Sequence, residues 1–318
     1  MVTASQAQKK GSAFSLKIWF LEPRPHYMFL PLVLILVGTG AAWYYTGEFN
    51  LGFALLALLG LVLCHMSVNI LNDYFDYKSG VDLKTVKTPF NGGSGMLPTG
   101  KLQPVQVLWY GLICLILAVP IGIYFTVTQG WQLLPLLLLG AFCVLLYTAL
   151  ILKNHFPEWS PGVGLGLLPV LGAYFVQAGN YSIPAFVAAV PSGFLVLNLL
   201  LLNEFPDAEA DLIGRKKTLP ITIGKRKAAM VYTAFTILTY VWIVGAVIAK
   251  YALGLQGMPV FTLISLLTLP LAIKAIRGSF GDQEIGKILP AMANNVLVVL
   301  VTQGLLGIGF IVSHVMNV

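Results

Sequence analysis

Charged residues are scarce in this chain, and their scarcity decides its class. Only 10% of the 318 residues are Asp, Glu, Lys or Arg, whereas 58% are hydrophobic. Soluble domains usually carry about 25% charged residues, so this composition excludes an ordinary soluble protein. Because a membrane-spanning helix needs about 20 mostly apolar residues, a chain of this length can hold many of them. We therefore expect an all-α integral membrane protein.

Cysteines are few, and long polar linkers are absent. Cys64, Cys114 and Cys143 are scattered within apolar runs and show no metal-binding spacing, so we expect free, buried thiols. No polar linker is long enough to divide the chain, which predicts one transmembrane domain over residues 1–318. Residues 1–25 form a polar N-terminal arm that lacks a signal-peptide cleavage site. We expect this arm to lie at the cytoplasmic membrane interface through three aromatic side chains, Phe14, Trp19 and Phe20.

The apolar runs predict nine transmembrane helices. They occupy residues 26–47, 51–76, 104–126, 132–152, 161–178, 183–204, 227–249, 257–275 and 288–313. With a cytoplasmic N-terminus, this arrangement places every Lys and Arg except Lys250 on the cytoplasmic side, as the positive-inside rule requires. The net charge of +7 is then explained by topology, without a nucleic-acid partner. Because every acidic residue except Glu48 falls on the same side, we expect an active site on the cytoplasmic face of the cell membrane.

One cluster of polar residues closes the second predicted span. Asn69, Asn72, Asp73 and Asp76 are spaced i, i+3, i+4 and i+7, which is a single face of a helix. Charge beside hydrocarbon must be compensated, and a face of oxygen ligands suits a hard cation such as Mg²⁺. Taken alone, the cluster could equally be a solvated helix end.

A second cluster closes the sixth predicted span. Asn203, Asp207 and Asp211 are spaced i, i+4 and i+8, again about one helical face. Each cluster is followed by basic residues that end in Lys-Thr: Lys84 and Lys87-Thr88 after the first, Arg215-Lys216-Lys217-Thr218 after the second. Carboxylates for metal followed by cations for phosphate oxygens indicate a site for a metal-bridged diphosphate. The similar spacing of the two clusters also predicts an approximate internal repeat.

The long loop after the first cluster contains a glycine-rich stretch, residues 91–95. Glycines there could let the loop move as a lid or turn backbone N–H groups towards an anion. A flexible linker is an equally good interpretation of the same composition.

The pair Asn72-Asp73-x-x-Asp76 and Asp207-x-x-x-Asp211, on a chain with nine predicted spans, resembles the UbiA superfamily of intramembrane prenyltransferases. Arg24-Pro25, the run 215–219 and the fifth-span stretch 172–179 are also similar to that family, the last to its menaquinone-pathway branch. Two departures stand out. Gly80 occupies the position where the ubiquinone-type pattern has a further Asp, which leaves Asp82 as a neighbouring acid. Lys153 follows Tyr147 by six residues, where the family has a shorter Tyr-to-Lys spacing.

The resemblance implies transfer of a polyprenyl group from polyprenyl diphosphate to an aromatic acceptor, with release of diphosphate. It implies Mg²⁺, expected as two ions held by Asp73, Asp76, Asp207 and Asp211, with Asp82 behind them. Diphosphate-binding groups are expected among Asn69, Asn72, Asn203, Lys84, Lys87, Lys153, Arg215 and Lys217. Tyr74, Tyr147 and Tyr174 are candidates to face the allylic carbocation or the acceptor, since an aromatic ring face stabilises a cation.

The acceptor is less constrained than the donor. The fifth-span likeness favours 1,4-dihydroxy-2-naphthoate, whereas 4-hydroxybenzoate, homogentisate and a lipid alcohol remain alternatives. Two rival functions are a phospholipid-headgroup transferase acting on a CDP-alcohol and an ion-coupled transporter. The first usually keeps its carboxylates in one compact motif, and the second needs ionisable groups near the bilayer midplane. The sequence shows two separated motifs and no such midplane charges.

Overall fold

The computed structural model describes residues 15–282 and 284–318. Within these residues the fold is all-helical, with eight helices long and apolar enough to cross a membrane and one shorter apolar helix. We name them in chain order: α1 Pro25–Thr46, α2 Leu51–Ser79, α3 Pro104–Thr128, α4 Trp131–Leu146, α5 Trp159–Ala178, α6 Ile183–Ile213, α7 Lys225–Leu253, α8 Val260–Ser279 and α9 Ile285–Val315. The nine predicted spans are confirmed as nine helices, and the protein is an integral membrane protein.

Local sequence signals set several helix ends. The Asn50 side chain accepts the backbone N–H of Phe53 at the start of α2, and α2 ends at Gly80, whose φ of +84° suits glycine. Gln177, near the end of α5, exchanges two hydrogen bonds with the Asn50 backbone, at 2.7 and 3.0 Å. The start of α2 is therefore fixed to the end of α5.

α6 is the most deeply buried of the long helices. Small residues on its surface allow this, because they let neighbouring backbones approach closely. A Cβ on Gly166 of α5 would lie 2.5 Å from the Ser192 carbonyl oxygen of α6. The central position of α6 brings its C-terminal carboxylates to the middle of the bundle.

The fourth predicted span is wrong at its C-terminal end. α4 ends at Leu146, and residues 147–153 form turns instead of continuing to 152. Hydropathy could not show this, because the segment is mostly apolar. Its polar groups are used in other contacts: the Thr148 hydroxyl accepts a hydrogen bond from the Asn72 amide at 3.0 Å, and the Leu152 carbonyl accepts the Lys217 N–H at 2.7 Å. The segment thus joins the ends of α2 and α6.

Of the three aromatic residues of the predicted interfacial arm, Phe14 lies outside the described residues. A short helix, Leu16–Leu21, precedes α1. Trp19 packs edge-to-face on Tyr110 of α3, with ring centroids 5.3 Å apart, and Phe20 is exposed. All three cysteines are free, as predicted. The internal repeat, the single domain and the membrane orientation stay predictions.

Candidate active site

Lys216 joins the two acidic clusters. Its Nζ lies 3.0 Å from an Asp76 carboxylate oxygen at the end of α2 and 2.8 Å from an Asp211 oxygen at the end of α6. Burial alone would lower the pKa of Lys216, but the two carboxylates outweigh burial and hold the pKa above its usual value. Since both carboxylates contact the same nitrogen, the ends of α2 and α6 are close enough to share a ligand.

Arg24 makes a second ion pair, with Asp73. One guanidinium nitrogen donates to Asp73 at 2.6 Å and to the Asn69 carbonyl at 3.1 Å. It also lies 3.4 Å from the Asn72 side-chain oxygen. Arg24 adopts a left-handed backbone conformation, φ 57°, just before α1 begins at Pro25. The N-terminal arm is thereby held against the first acidic cluster.

The glycine-rich loop folds over Asp73. The Ser94 backbone N–H donates to the second Asp73 oxygen at 2.7 Å, and the Ser94 hydroxyl donates to Glu22 at 2.6 Å. Burial, followed by the nearby Asp73 charge, raises the pKa of Glu22 to about 7. A Cβ on Gly93 would lie 3.0 Å from an Asp73 oxygen, and the φ of Gly93 is +66°. Of the two interpretations of this loop, the backbone contact with an anionic group describes it better than a solvated linker.

A cavity of about 590 Å³ begins at these carboxylates and continues between apolar helices. Its polar end is lined by Arg24, Asn69, Asn72, Asp76, Asp82, Asn91, Asn203, Glu204, Asp207, Asp211 and Lys216. The rest is lined mainly by apolar side chains of α3, α4 and α5. Val119 and Ile123 of α3, and Leu134 and Leu138 of α4, line the cavity and are also exposed on the outer surface. The wall that α3 and α4 form therefore lies at the outer surface of the bundle, where we expect lipid.

The structure brings together part of the predicted site. Asn69, Asn72, Asp76, Asn203, Asp207 and Asp211 all line the cavity, as do Asp82 and Tyr147. Asp207 accepts a hydrogen bond from the Asn91 side chain. Burial, followed by the charges of Asp73 and Asp76, raises the pKa of Asp82 to about 8. Asp73 is buried behind this layer, engaged with Arg24 and Ser94.

Other predicted residues lie elsewhere. The side chains of Lys84, Lys153, Arg215 and Lys217 are exposed and do not line the cavity. Lys87 donates to the Ser94 carbonyl and so supports the loop. Tyr74 packs with α3 and the loop after α2, on the side of α2 away from the cavity. Tyr174 is buried in the core between α1, α5 and α6.

Sequence reasoning missed the cations that pair with the carboxylates. Lys216 was hidden in a run of three bases, of which only the middle one turns inward. The left-handed conformation of Arg215, φ 56°, follows the end of α6 and reverses the chain there. Arg24 was noticed only as part of an Arg-Pro pair. The pairs Arg24–Asp73 and Lys216–Asp76 have no local sequence signal, since their partners are 49 and 140 residues apart. Asp211 is close to Lys216 in sequence, but the chain turns between them after the end of α6.

The model of the UbiA prenyltransferase family matches residues 32–313. The chain belongs to the UbiA prenyltransferase family. It is 27% identical, over 98% of its length and 96% of the relative's, to a 1,4-dihydroxy-2-naphthoate octaprenyltransferase of Bacillus subtilis. Two solved structures share the fold. A digeranylgeranylglyceryl phosphate synthase has a TM-score of 0.62 and 18% identity, and the match covers 93% of this chain and 98% of that one. A UbiA homolog from Archaeoglobus fulgidus bound to GPP and Mg²⁺ has a TM-score of 0.60 and 15% identity, and the match covers 91% of this chain and 99% of that one. This member of the family is an enzyme, a membrane-embedded prenyltransferase.

Proposed function

We propose that this enzyme transfers a polyprenyl group from polyprenyl diphosphate to 1,4-dihydroxy-2-naphthoate, in menaquinone biosynthesis, and releases diphosphate. The observation that carries the proposal is the cavity itself. Its polar end holds carboxylates of α2 and α6 around Lys216, and its apolar part extends to the outer surface of the bundle at α3 and α4. A charged head and a long apolar tail in one ligand suit these two parts. The naphthoate is favoured by the full-length likeness to the Bacillus subtilis relative.

The side chains at the polar end suit a diphosphate. Lys216 lies within the cavity wall and has one donor left beyond its two carboxylates, since an ammonium group carries three N–H bonds. Arg24 lines the same wall, and its planar guanidinium suits phosphate oxygens. We assign to both the binding of diphosphate oxygens, with the Asn69, Asn72 and Asn203 amides beside them. To the exposed Lys84, Lys153, Arg215 and Lys217 we assign contact with lipid headgroups or with the incoming diphosphate.

The residues present also fit Mg²⁺. No three His, Cys, Asp or Glu side chains in residues 15–282 and 284–318 converge on a point as a preformed metal centre. The carboxylate and amide side chains at the polar end of the cavity nevertheless offer oxygen ligands, which Mg²⁺ prefers. The Asn203 side-chain oxygen is buried and has no hydrogen-bond partner among the described residues. We propose that Asp76, Asp207 and Asp211 hold Mg²⁺, expected as two ions, and that Asp73 joins them only by exchanging its Arg24 partner.

In the reaction, bound Mg²⁺ would neutralise charge that develops on the leaving diphosphate. Lys216 and Arg24 add fixed positive charge at the same end. As the allylic C–O bond lengthens, its carbon becomes cationic. Tyr147 is the one tyrosine of the three candidates that lines the cavity, so we assign to its ring the stabilisation of that carbon. The apolar wall excludes water, which would otherwise capture the cation.

The test is incubation of the purified enzyme, in lipid nanodiscs, with labelled prenyl diphosphates and a panel of acceptors. The panel contains 1,4-dihydroxy-2-naphthoate, 4-hydroxybenzoate, homogentisate and a glycerophosphate ether. We expect prenylated naphthoate product, loss of turnover in excess chelator and its return with Mg²⁺. Transfer only to the glycerophosphate ether would instead support a second candidate function, that of a lipid synthase. Reconstitution in sealed vesicles would test the proposed cytoplasmic face.

A further inference from the structure

A second polar cluster lines the cavity one helical turn deeper than Asp207. Glu204 of α6 is 7% exposed, and no N–H group or hydroxyl of the described residues donates to its carboxyl oxygens. Thr218 is fully buried, and its hydroxyl likewise finds no partner within the described chain. Both side chains line the cavity. Buried polar groups are almost always hydrogen-bonded, because leaving one unpaired costs free energy. The cluster is therefore arranged to meet groups from outside the chain.

Glu158 holds Glu204 in place. Glu158 is fully buried, and one of its oxygens accepts the Leu219 N–H at 2.6 Å. Its carboxyl group faces the Glu204 carboxyl closely enough for the two to share one proton, which still leaves a Glu204 oxygen without a donor. The Leu219 contact fixes the chain immediately after Thr218, so Glu158 positions both cavity-lining members of the cluster. Tyr147, at the end of α4, lies close to Glu204 on the same wall.

The chemistry of this cluster selects its ligand. Carboxyl oxygens accept hydrogen bonds, so they need a donor such as O–H. A diphosphate or a carboxylate brings only acceptors and negative charge, and it is repelled from Glu204 towards Lys216. A prenyl tail brings no polar group at all. Of the groups that enter this cavity, the hydroxyls of the acceptor are the ones that match.

We propose that Glu204, Thr218 and Tyr147 form a subsite that binds a hydroxyl group of the acceptor. Glu204 and Asp207 lie on the same face of α6, about 5 Å apart along the helix axis. A ring whose hydroxyl donates to Glu204 is thereby held next to the carbon that leaves the diphosphate. Its carboxylate points away from the subsite, towards the cations. The proposal rests on the proposed function, and it adds that hydroxyl recognition by Glu204 selects the acceptor.

The experiment compares wild type, Glu204→Gln and Thr218→Val with a matched control, Glu209→Gln. Glu209 is exposed on the same helix and does not line the cavity. We measure KM separately for the acceptor and for the prenyl diphosphate, and dissociation constants of the acceptor by tryptophan quenching without turnover. The acceptors are 1,4-dihydroxy-2-naphthoate, its mono-O-methyl ethers and a glycerophosphate ether, which separates aromatic from lipid hydroxyl donors. Thermal melting confirms that each variant is folded.

We expect Glu204→Gln to raise the acceptor KM and dissociation constant about tenfold or more, as for a hydrogen bond to a charged group. The KM for prenyl diphosphate should stay unchanged, and Glu209→Gln should match wild type. One of the methyl ethers should bind wild type as weakly as the intact acceptor binds the variant. Equal acceptor binding in wild type, Glu204→Gln and Thr218→Val would overturn the subsite even if prenyl transfer is confirmed. Glu204-dependent binding without prenyl transfer would overturn the proposed function and leave the subsite standing.

Discussion

Two glycines of the loop after α2 provide a matched test of the contact with Asp73. Gly93 and Gly100 have almost the same backbone conformation, with φ of +66° and +67°. A Cβ on Gly93 would lie 3.0 Å from one Asp73 oxygen and 3.4 Å from an Asp82 oxygen, whereas a Cβ on Gly100 would meet nothing in the described chain within 4 Å. Alanine at either position carries the same left-handed strain, of about 1 kcal/mol. Any difference between the two variants therefore reports the contact with the carboxylates.

The magnitude follows from the hydrogen bond that Gly93 positions. Gly93→Ala pushes the loop away from Asp73 and lengthens the 2.7 Å bond from the Ser94 N–H. A hydrogen bond to a charged group contributes about 1.5–3 kcal/mol, so its loss lowers kcat/KM roughly tenfold to a hundredfold if Asp73 orders the site. Gly100→Ala should lose a little thermal stability and keep its kcat/KM.

The assay measures kcat/KM for prenyl diphosphate at saturating acceptor and Mg²⁺, together with the melting temperature of both variants. Ser94→Ala adds a further comparison, because it keeps the N–H to Asp73 and removes only the hydroxyl that donates to Glu22. We expect its effect to be smaller than that of Gly93→Ala. Equal turnover in Gly93→Ala and Gly100→Ala would show that the loop does not order Asp73.

Three more predictions concern the carboxylates and their partner. Asp207→Asn should lower turnover at least a hundredfold in excess Mg²⁺, with the exposed Glu209→Gln as its control, and wild-type product formation would remove Asp207 from the mechanism. Lys216→Met should lower the melting temperature, because two buried carboxylates lose their cation at a cost of about 3–5 kcal/mol. Mg²⁺ alone should then raise the melting temperature of this variant more than that of wild type or of the exposed control Lys217→Met. An equal response to Mg²⁺ would contradict the reasoning. Asp82 has a folded pKa of about 8 against an ordinary 3.8, so without metal the folded protein should lose stability as the pH rises from about 4 to 8. Asp82→Asn should reduce that pH dependence of the melting temperature, and an unchanged dependence would refute it.

The helices and the carboxylates could be predicted from sequence because each rests on a local pattern. Long apolar runs require helices in a membrane, since no other open structure satisfies the backbone there. The spacing of Asp73 and Asp76, and of Asp207 and Asp211, indicates one helical face in each case. That these residues lie on α2 and α6 follows from the same local pattern. The end of α4 was missed because the apolar residues 147–152 look helical, and only contacts with Asn72 and Lys217 explain why they turn.

For the tyrosines and the basic residues, a local sequence pattern does not determine which side chain reaches the site. Tyr74 follows Asp73 directly and is therefore rotated by about 100° around α2, which turns it towards α3. Tyr174 sits on a helix whose inner face is fixed by packing against α1 and α6. Among Lys216 and its basic neighbours, only the tertiary structure decides which nitrogen reaches the carboxylates. The carboxylates of the site could be predicted from the sequence, but which cation pairs with which carboxylate could not.

The pairing has a consequence for how the substrate enters. In the absence of metal, Lys216 already compensates Asp76 and Asp211, and Arg24 already compensates Asp73. A bare Mg²⁺ ion would have to displace a cation from its carboxylates and would add to the positive charge nearby. A diphosphate that arrives with its Mg²⁺ brings negative charge for Lys216 and Arg24, so each cation can turn from a carboxylate to a phosphate oxygen while the metal takes its place. We therefore expect the fixed cations to favour binding of the Mg²⁺–diphosphate complex over binding of the metal alone. For the same reason, removing Lys216 should increase the response to Mg²⁺ by itself.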